Sequence, residues 1–448
     1  MPSEPVHRHA PRLLVAGFVL AGWLVPVVAS AQPVTVPRFD FSFSNPGARS
    51  QGFGGAFAAL ADDATAAFAN PAGLVQLTEP EVSAELRYWH RTPSFLAGGR
   101  FEGETTGIGL DTTNGPVFGQ DSSRTFGPSF AAVVIPKGRW SFALYGHRLA
   151  DLEQVADSQG FFLSRPFVDF GQESSGVDRF PGSRETIELD AVSAGLATGV
   201  KLSERLSLGL SVVYTDVRLD ARSAFYLTDD PSEDSLFGTI HYLPERRISE
   251  SKLRADDSDV TWSAGLLWNV SARFALGLFY RRGASVSGRL DTEYGPSVPF
   301  NEIVTPPDVV VELRLFNPAV FAIPDVAGAG LAYRSADGRF TVATEVNHVG
   351  YEGLIRVVET EDSDLASREY RDAWEYHLGA ELALLRSAPI LAFRAGVWVE
   401  QNGDDLAGRN VTHWSGGVGI AGGVVQVDLA ADISESGDTL SLSTIYTF

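Results

Sequence analysis

Asp62 and Asp63 stand side by side in an alanine-rich run. Paired carboxylates can do acid–base chemistry when a cleft raises one pKa. Their commoner use is to accept backbone N–H groups where a helix starts or a turn closes. Asn70 and Pro71 follow, a dipeptide suited to a tight turn. Two arginines, Arg314 and Arg394, could each hold a ligand carboxylate, because a guanidinium offers two parallel donors. They could equally neutralise acids such as Glu312, Glu345 and Glu381. The eight histidines show no HExxH spacing, and no GxSxG elbow is present. Acids at Asp111, Asp121, Asp229, Asp230, Glu233 and Asp234 fall in long connections, where solvated carboxylates are commoner than cation sites. The residues therefore predict no resident metal, no cofactor and no enzyme.

The elements that must position these residues begin with a leader. Arg8 and Arg12 precede an apolar run over 13–28, and Ala29-Ser30-Ala31 offers small residues for cleavage, so 1–31 reads as a signal peptide. The formal charge is −21, and losing the leader removes Arg8, Arg12 and Glu4, leaving a more acidic chain. That balance argues against nucleic acid, since no basic stripe tracks phosphates. Zero cysteines exclude disulfides, thiolate metal sites and a lipidated cysteine. No later stretch holds the roughly 20 uninterrupted apolar residues that a spanning helix needs.

Beyond residue 80 apolar residues recur at every second position, as in Leu206, Leu208, Leu210, Val212 and Tyr214. This alternation predicts an all-β chain: a transmembrane antiparallel barrel of about fourteen strands spanning 81–448. The segments are 81–89, 128–135, 140–149, 185–202, 205–226, 248–270, 274–290, 309–334, 340–354, 374–385, 390–400, 411–421, 424–433 and 440–448. Pro318 and Pro324 demand a kink or bulge in the eighth. Short turns follow every even segment and most connections after odd ones are longer, as expected of a barrel inserted from the periplasm. Alternation points Arg394, Trp398, Glu312, Arg314, Glu345, Asn347, Glu375, His377, Glu381 and Asp428 inward, giving a charged lumen. Arg394, Arg314, Trp398 and His377 are its candidate ligand contacts. The last strand ends on Tyr446 and Phe448, which resemble a barrel assembly signal.

Residues 41–77 do not alternate. The run from Ser50 to Leu74 is glycine- and alanine-rich, too mixed to span lipid, and suited to folding inside the lumen. With its Ala61-Asp62-Asp63 and Asn70-Pro71-Ala72 signatures it resembles the N-terminal hatch of the FadL family of outer-membrane transporters of hydrophobic compounds. Phrases such as Leu206-Ser-Leu-Gly-Leu210 and Phe393-Arg-Ala-Gly-Val397 are similar to that family's strands. The resemblance implies a monomeric barrel plugged by 32–80 in the outer membrane of a Gram-negative bacterium. Its partners would be outer-membrane lipid, the barrel assembly machinery and hydrophobic small molecules, such as long-chain fatty acids or aromatic hydrocarbons. The same hatch signature occurs in PorV-like barrels of a secretion apparatus, which leaves an interaction role open. An outer-membrane acyl hydrolase is a third reading.

Overall fold

A computed structural model describes residues 43, 45–101, 103–169, 172–229, 236–294, 314–357, 370–401 and 410–448. The signal peptide expected at 1–31, the start of the expected hatch, and Glu312 lie outside them, as does the Arg314 side chain. The wall is a closed antiparallel sheet of β1 (Glu81–Arg91), β4 (Ser123–Lys137), β5 (Trp140–Ser158), β8 (Gly182–Lys201), β9 (Leu206–Tyr226), β10 (Arg247–Asn269), β11 (Phe274–Arg281), β12 (Ser285–Tyr294), β13 (Arg314–Ala322), β14 (Asp325–Arg334), β15 (Phe340–Gly350), β16 (Ile355–Val357), β17 (Ala373–Leu384), β18 (Ile390–Glu400), β19 (Val411–Gly422), β20 (Val425–Ser434) and β21 (Gly437–Thr447). It closes where β21 pairs with β1 from Glu81↔Thr447 to Arg91↔Gly437. Closure leaves neither the first nor the last strand with an open edge, which open sheets cannot do in lipid.

These seventeen strands make fourteen passages, because β11/β12, β13/β14 and β15/β16 are each one passage broken in two. The break in β13/β14 falls at Pro324, as the missing N–H requires, whereas Pro318 is accommodated within β13. The three breaks lie side by side, since Arg281 pairs with Val326 and Asp325 with Gly350. Asp325 holds them: its carboxylate accepts the Gly283 N–H at 2.8 Å and the Tyr280 hydroxyl. Across from them β10, still paired with β9, has no ladder partner in β11 or β12 between Ala255 and Ser263. There Asp257 and Asp259 side chains accept the N–H groups of Ser287 (3.2 Å) and Ser285 (2.9 Å).

Several passages outrun their sequence-read bounds. β5 runs to Ser158 rather than 149 because a bulge at Arg148/Ala150 shifts the alternation by one residue, so the pattern reads as ended where it only changes phase. The long connections also hold strands of their own. β2 (Ser94–Arg100), β3 (Gly115–Gln120), β6 (Phe162–Asp169) and β7 (Gln172–Arg179) form a second, four-stranded sheet over the long-loop end.

The wall's outer surface carries two aromatic girdles. Trp140, Phe142, Trp268, Phe274, Phe340 and Phe448 are exposed near the short-turn rim, and Phe126, Trp262, Trp374 and Trp414 nearer the other. Exposed Leu144, Leu196, Leu210, Val212 and Leu278 lie between them. Aromatic rings at both interfaces with an aliphatic band between them match a lipid-facing barrel. Among the described residues no helix is long and apolar enough to cross a membrane.

Candidate functional site

The N-terminal segment fills the short-turn half of the lumen as a hatch. It comprises α1 (Ala48–Gly52), α2 (Ala66–Ala69) and a 3-10 turn, Pro71–Gln76, and nearly all of it is buried. Its small side chains are needed because the wall comes close. Inward glycines on several passages meet hatch backbone: a Cβ on Gly209 would collide with Ala72 N, on Gly277 with Ala58, on Gly379 with Phe53 and on Gly396 with Gly54. This belt of wall glycines was not read from the sequence, where a glycine within a strand signals only weakness or close approach.

Polar groups lock the contact. Asn70, fully buried, caps the 3-10 turn by accepting the Ala72 N–H at 3.2 Å. Its amide donates to Ala58 O (2.8 Å) and, across to the wall, Leu266 O (3.2 Å). Pro71 fits the first position of that turn, where no N–H is needed. Asp63 accepts the Thr65 N–H at 2.9 Å. Asp62 accepts Arg49 at 2.5 Å and Arg334, from the wall, at 3.0 Å. Arg49 also reaches Glu381 at 3.3 Å. Asp63 is thus engaged by a backbone N–H and Asp62 by two guanidinium groups.

Arg394 joins the same network. It donates to Glu381 at 2.7 Å and Asp428 at 2.6 Å, with 3% of its side chain exposed. Both faces of its fork are occupied, and no donor pair is left over for a ligand carboxylate. Arg314 opens β13, paired with Glu293. His377 is buried and its Nδ1 meets the hatch carbonyl of Gly54 at 2.8 Å, with Glu375 at 3.3 Å from Nε2. Trp398 stacks between His377 (centroids 5.2 Å) and His413 (3.6 Å) and donates its N–H to Asp432 at 3.0 Å. Glu345 accepts the N–H groups of Phe57 (2.8 Å) and Ala58 (2.7 Å). The structure therefore brings Asp62, Asp63, Asn70, Arg394 and His377 together at the hatch–wall seam, each with hatch or wall partners.

Above the hatch the lumen is not the charged chamber expected. It is filled by an apolar cluster including Leu152, Ile187, Leu189, Val217, Leu219, Leu253, Val286, Leu290, Phe321 and Val349, all buried. The sequence carried a signal for it. In β9 the apolar row Leu208, Leu210, Val212 and Tyr214 faces out, while Val217, Leu219 and Ala221 face in, so the phase flips within three residues. In β8 the flip lies between Ala191 and Val192. Below it apolar residues face lipid; above it they face inward and charged residues face water. Counting all apolar residues as lipid-facing hid this change.

Over the cluster sits the small sheet, fastened by Arg100 to Asp111 at 2.5 Å and by Arg179, which donates to Leu236 O and Gly238 O at 2.7 and 2.6 Å. Aromatic rings gather at the ends of β6 and β7: Phe161 and Phe180, just outside the two strands, stack at 4.9 Å, and Phe162 of β6 and Phe237 at 5.7 Å.

Comparison with known proteins agrees with this architecture. The chain aligns with the toluene transporter TbuX of Ralstonia pickettii at TM-score 0.58, 17% identity, covering 90% of this chain and 99% of that one. The Pseudomonas putida toluene transporter TodX gives 0.53 and 14% over 91% and 98%, and the monoaromatic hydrocarbon channel CymD gives 0.53 and 19% over 91% and 99%. No curated protein matches. Residues 163–412, more than half the chain, match the family model described as outer membrane protein transport protein (OMPP1/FadL/TodX). A plugged fourteen-passage barrel with this match belongs to the FadL/TodX family of outer-membrane transport proteins.

Proposed function

We propose that the protein passes hydrophobic compounds across the outer membrane of a Gram-negative bacterium by passive diffusion, as a monomer and without catalysis. The observation that carries this is the buried apolar tier in the lumen above the hatch. An apolar solute moving through it exchanges one oily surface for another, whereas a hydrated solute would lose its water without compensation. The resemblance to toluene transporters points the same way. Within that class uncharged hydrocarbons fit better than fatty acids, because Arg394 is already held by two carboxylates. The hatch, taken as residues 32–80, would shift or loosen to release the solute. Assembly would use the barrel machinery, read through Tyr446 and Phe448.

The test is uptake of radiolabelled toluene by cells carrying the wild type or the double variant Val217→Asn with Leu219→Asn. Uptake should fall several-fold while the folded barrel keeps its heat-modifiable migration on gels. A folded double variant with full uptake would count against passage through the tier.

A further inference from the structure

Five passages on one side, β5, β8, β9, β10 and β12, extend well beyond the lipid-facing band, and their outward faces carry successive rows of charge, two of which are flanked by Arg148 and Asp216 below and by Arg222, Lys252 and Asp291 above. Below them lies the lipid-facing surface: Leu144, Leu196, Val212 and Trp262 form one register row and Gly146, Ala194, Tyr214 and Val260 the next, followed by a mixed row of Arg148, Val192, Asp216 and Ser258. The lower charged row pairs Asp151 with Asp190, Asp190 with Arg218 and Arg218 with Asp256. The upper row runs Glu153, Glu188, Asp220, Arg254, Arg289. Together they line a concave groove of about 920 Å³ on the outside of the wall.

A ladder built only to satisfy itself would alternate in sign. The upper row is segregated instead: three acids directly opposed, then two arginines directly opposed, and like charges facing across strands destabilise a sheet. Among the described residues Glu153 and Glu188 have no basic partner within ion-pair distance. Arg218 is 72% exposed and reaches Asp216 and Asp256 only at 3.7 and 3.9 Å. Arg254 has Asp220 at 3.2 Å and Arg289 holds Asp291 at 2.7 and 2.8 Å, each using only part of its five N–H groups. Arg218 and Arg254 are diagonal neighbours, so the three guanidinium groups share one patch.

We propose that this groove docks phosphorylated headgroups of outer-leaflet lipid, with Arg218, Arg254 and Arg289 on phosphate oxygens and a divalent cation shared between phosphate and the Glu153–Glu188 pair. The position supports a lipid source: the rows lie on the same strands that carry the lipid-facing surface, one mixed row beyond its last apolar row, at headgroup height. Exposed arginines at that depth each add to headgroup affinity, and carboxylates facing anionic phosphate are tolerated when a hard cation bridges oxygen ligands.

The experiment uses the folded full-length barrel in detergent micelles with added magnesium. Its probes are diphosphorylated lipid A, the same lipid with its phosphates removed, and inorganic phosphate as competitor; retained lipid per barrel is measured after gel filtration. Wild type should retain the phosphorylated lipid over the dephosphorylated one. Arg218→Gln/Arg254→Gln/Arg289→Gln should weaken retention by about tenfold or more, and Glu153→Gln/Glu188→Gln should remove its sensitivity to chelator. Arg205→Gln, in a turn at the opposite rim, should change nothing. Equal retention of both lipids, unchanged retention by the arginine variant, or full displacement by millimolar phosphate would overturn the proposal. Uptake of hydrophobic solutes plays no part in this readout.

Discussion

At the residue scale, Arg394 shows how a sequence-read ligand residue becomes a structural one. Its guanidinium sits between Glu381 and Asp428, with 1% of the Asp428 side chain exposed. Arg394→Ala would strand a buried carboxylate, and breaking such a pair costs about 3–5 kcal/mol. The expected outcome is a lower temperature for loss of the compact gel form, with toluene and fatty-acid uptake changed alike. Selective loss of carboxylate uptake in a barrel of unchanged stability would make Arg394 a ligand clamp after all. Asn70 belongs to the same seam. Asn70→Ala removes a cap worth about 1 kcal/mol and the two amide bonds to Ala58 and Leu266. Limited proteolysis from the periplasmic side should then cut the hatch faster than in wild type, while equal rates would mean that the amide does not hold it.

At the element scale, the strands were legible where one rule holds along their length. The passages β1 and β17–β21 alternate cleanly in the sequence because one face meets lipid throughout. What was not legible has physical causes. A bulge at Arg148/Ala150 inverts the pattern, the phase flips in β8 and β9 mark a change of surroundings, and the glycines that admit the hatch have no side chain to reveal a face. Gly209→Val tests the last point. Its side chain would overlap Pro71 and Ala72, and overpacking of this kind costs about 1–3 kcal/mol. Less hatch protection with an intact wall is expected; full protection would deny the close approach. The terminal strand gives a second test. β21 pairs with both β1 and β20, so replacing Tyr446 and Phe448 by serine should lower the yield of assembled barrel without blocking export. The contacts that fasten the outer sheet should respond to pH. Burial opposes charge on Asp111, yet the N–H and hydroxyl of Thr106 and the Arg100 guanidinium hold its pKa below the ordinary value. A depressed carboxylate contributes stability above its unfolded pKa and loses it as pH falls through the folded one. Protease should therefore cut 103–110 more readily only below about pH 4.

At the scale of the whole molecule, the chain stacks four environments along one axis: an outer sheet, an apolar tier, a polar seam and a small-residue hatch. The barrel and its plug could be read from the ends, the alternation and the hatch signature, while the apolar tier could not, because it depends on which face each apolar residue takes. That tier separates a plugged hydrophobic passage from a water-filled pore, and the two differ in what they admit. The most direct measurement places the purified barrel in liposomes and follows, on the same preparation, entry of radiolabelled toluene and osmotic swelling in a small sugar. Toluene equilibration faster than in protein-free liposomes, with no sugar-dependent swelling, is the predicted result. Rapid swelling in sugar with no gain in toluene entry would contradict it.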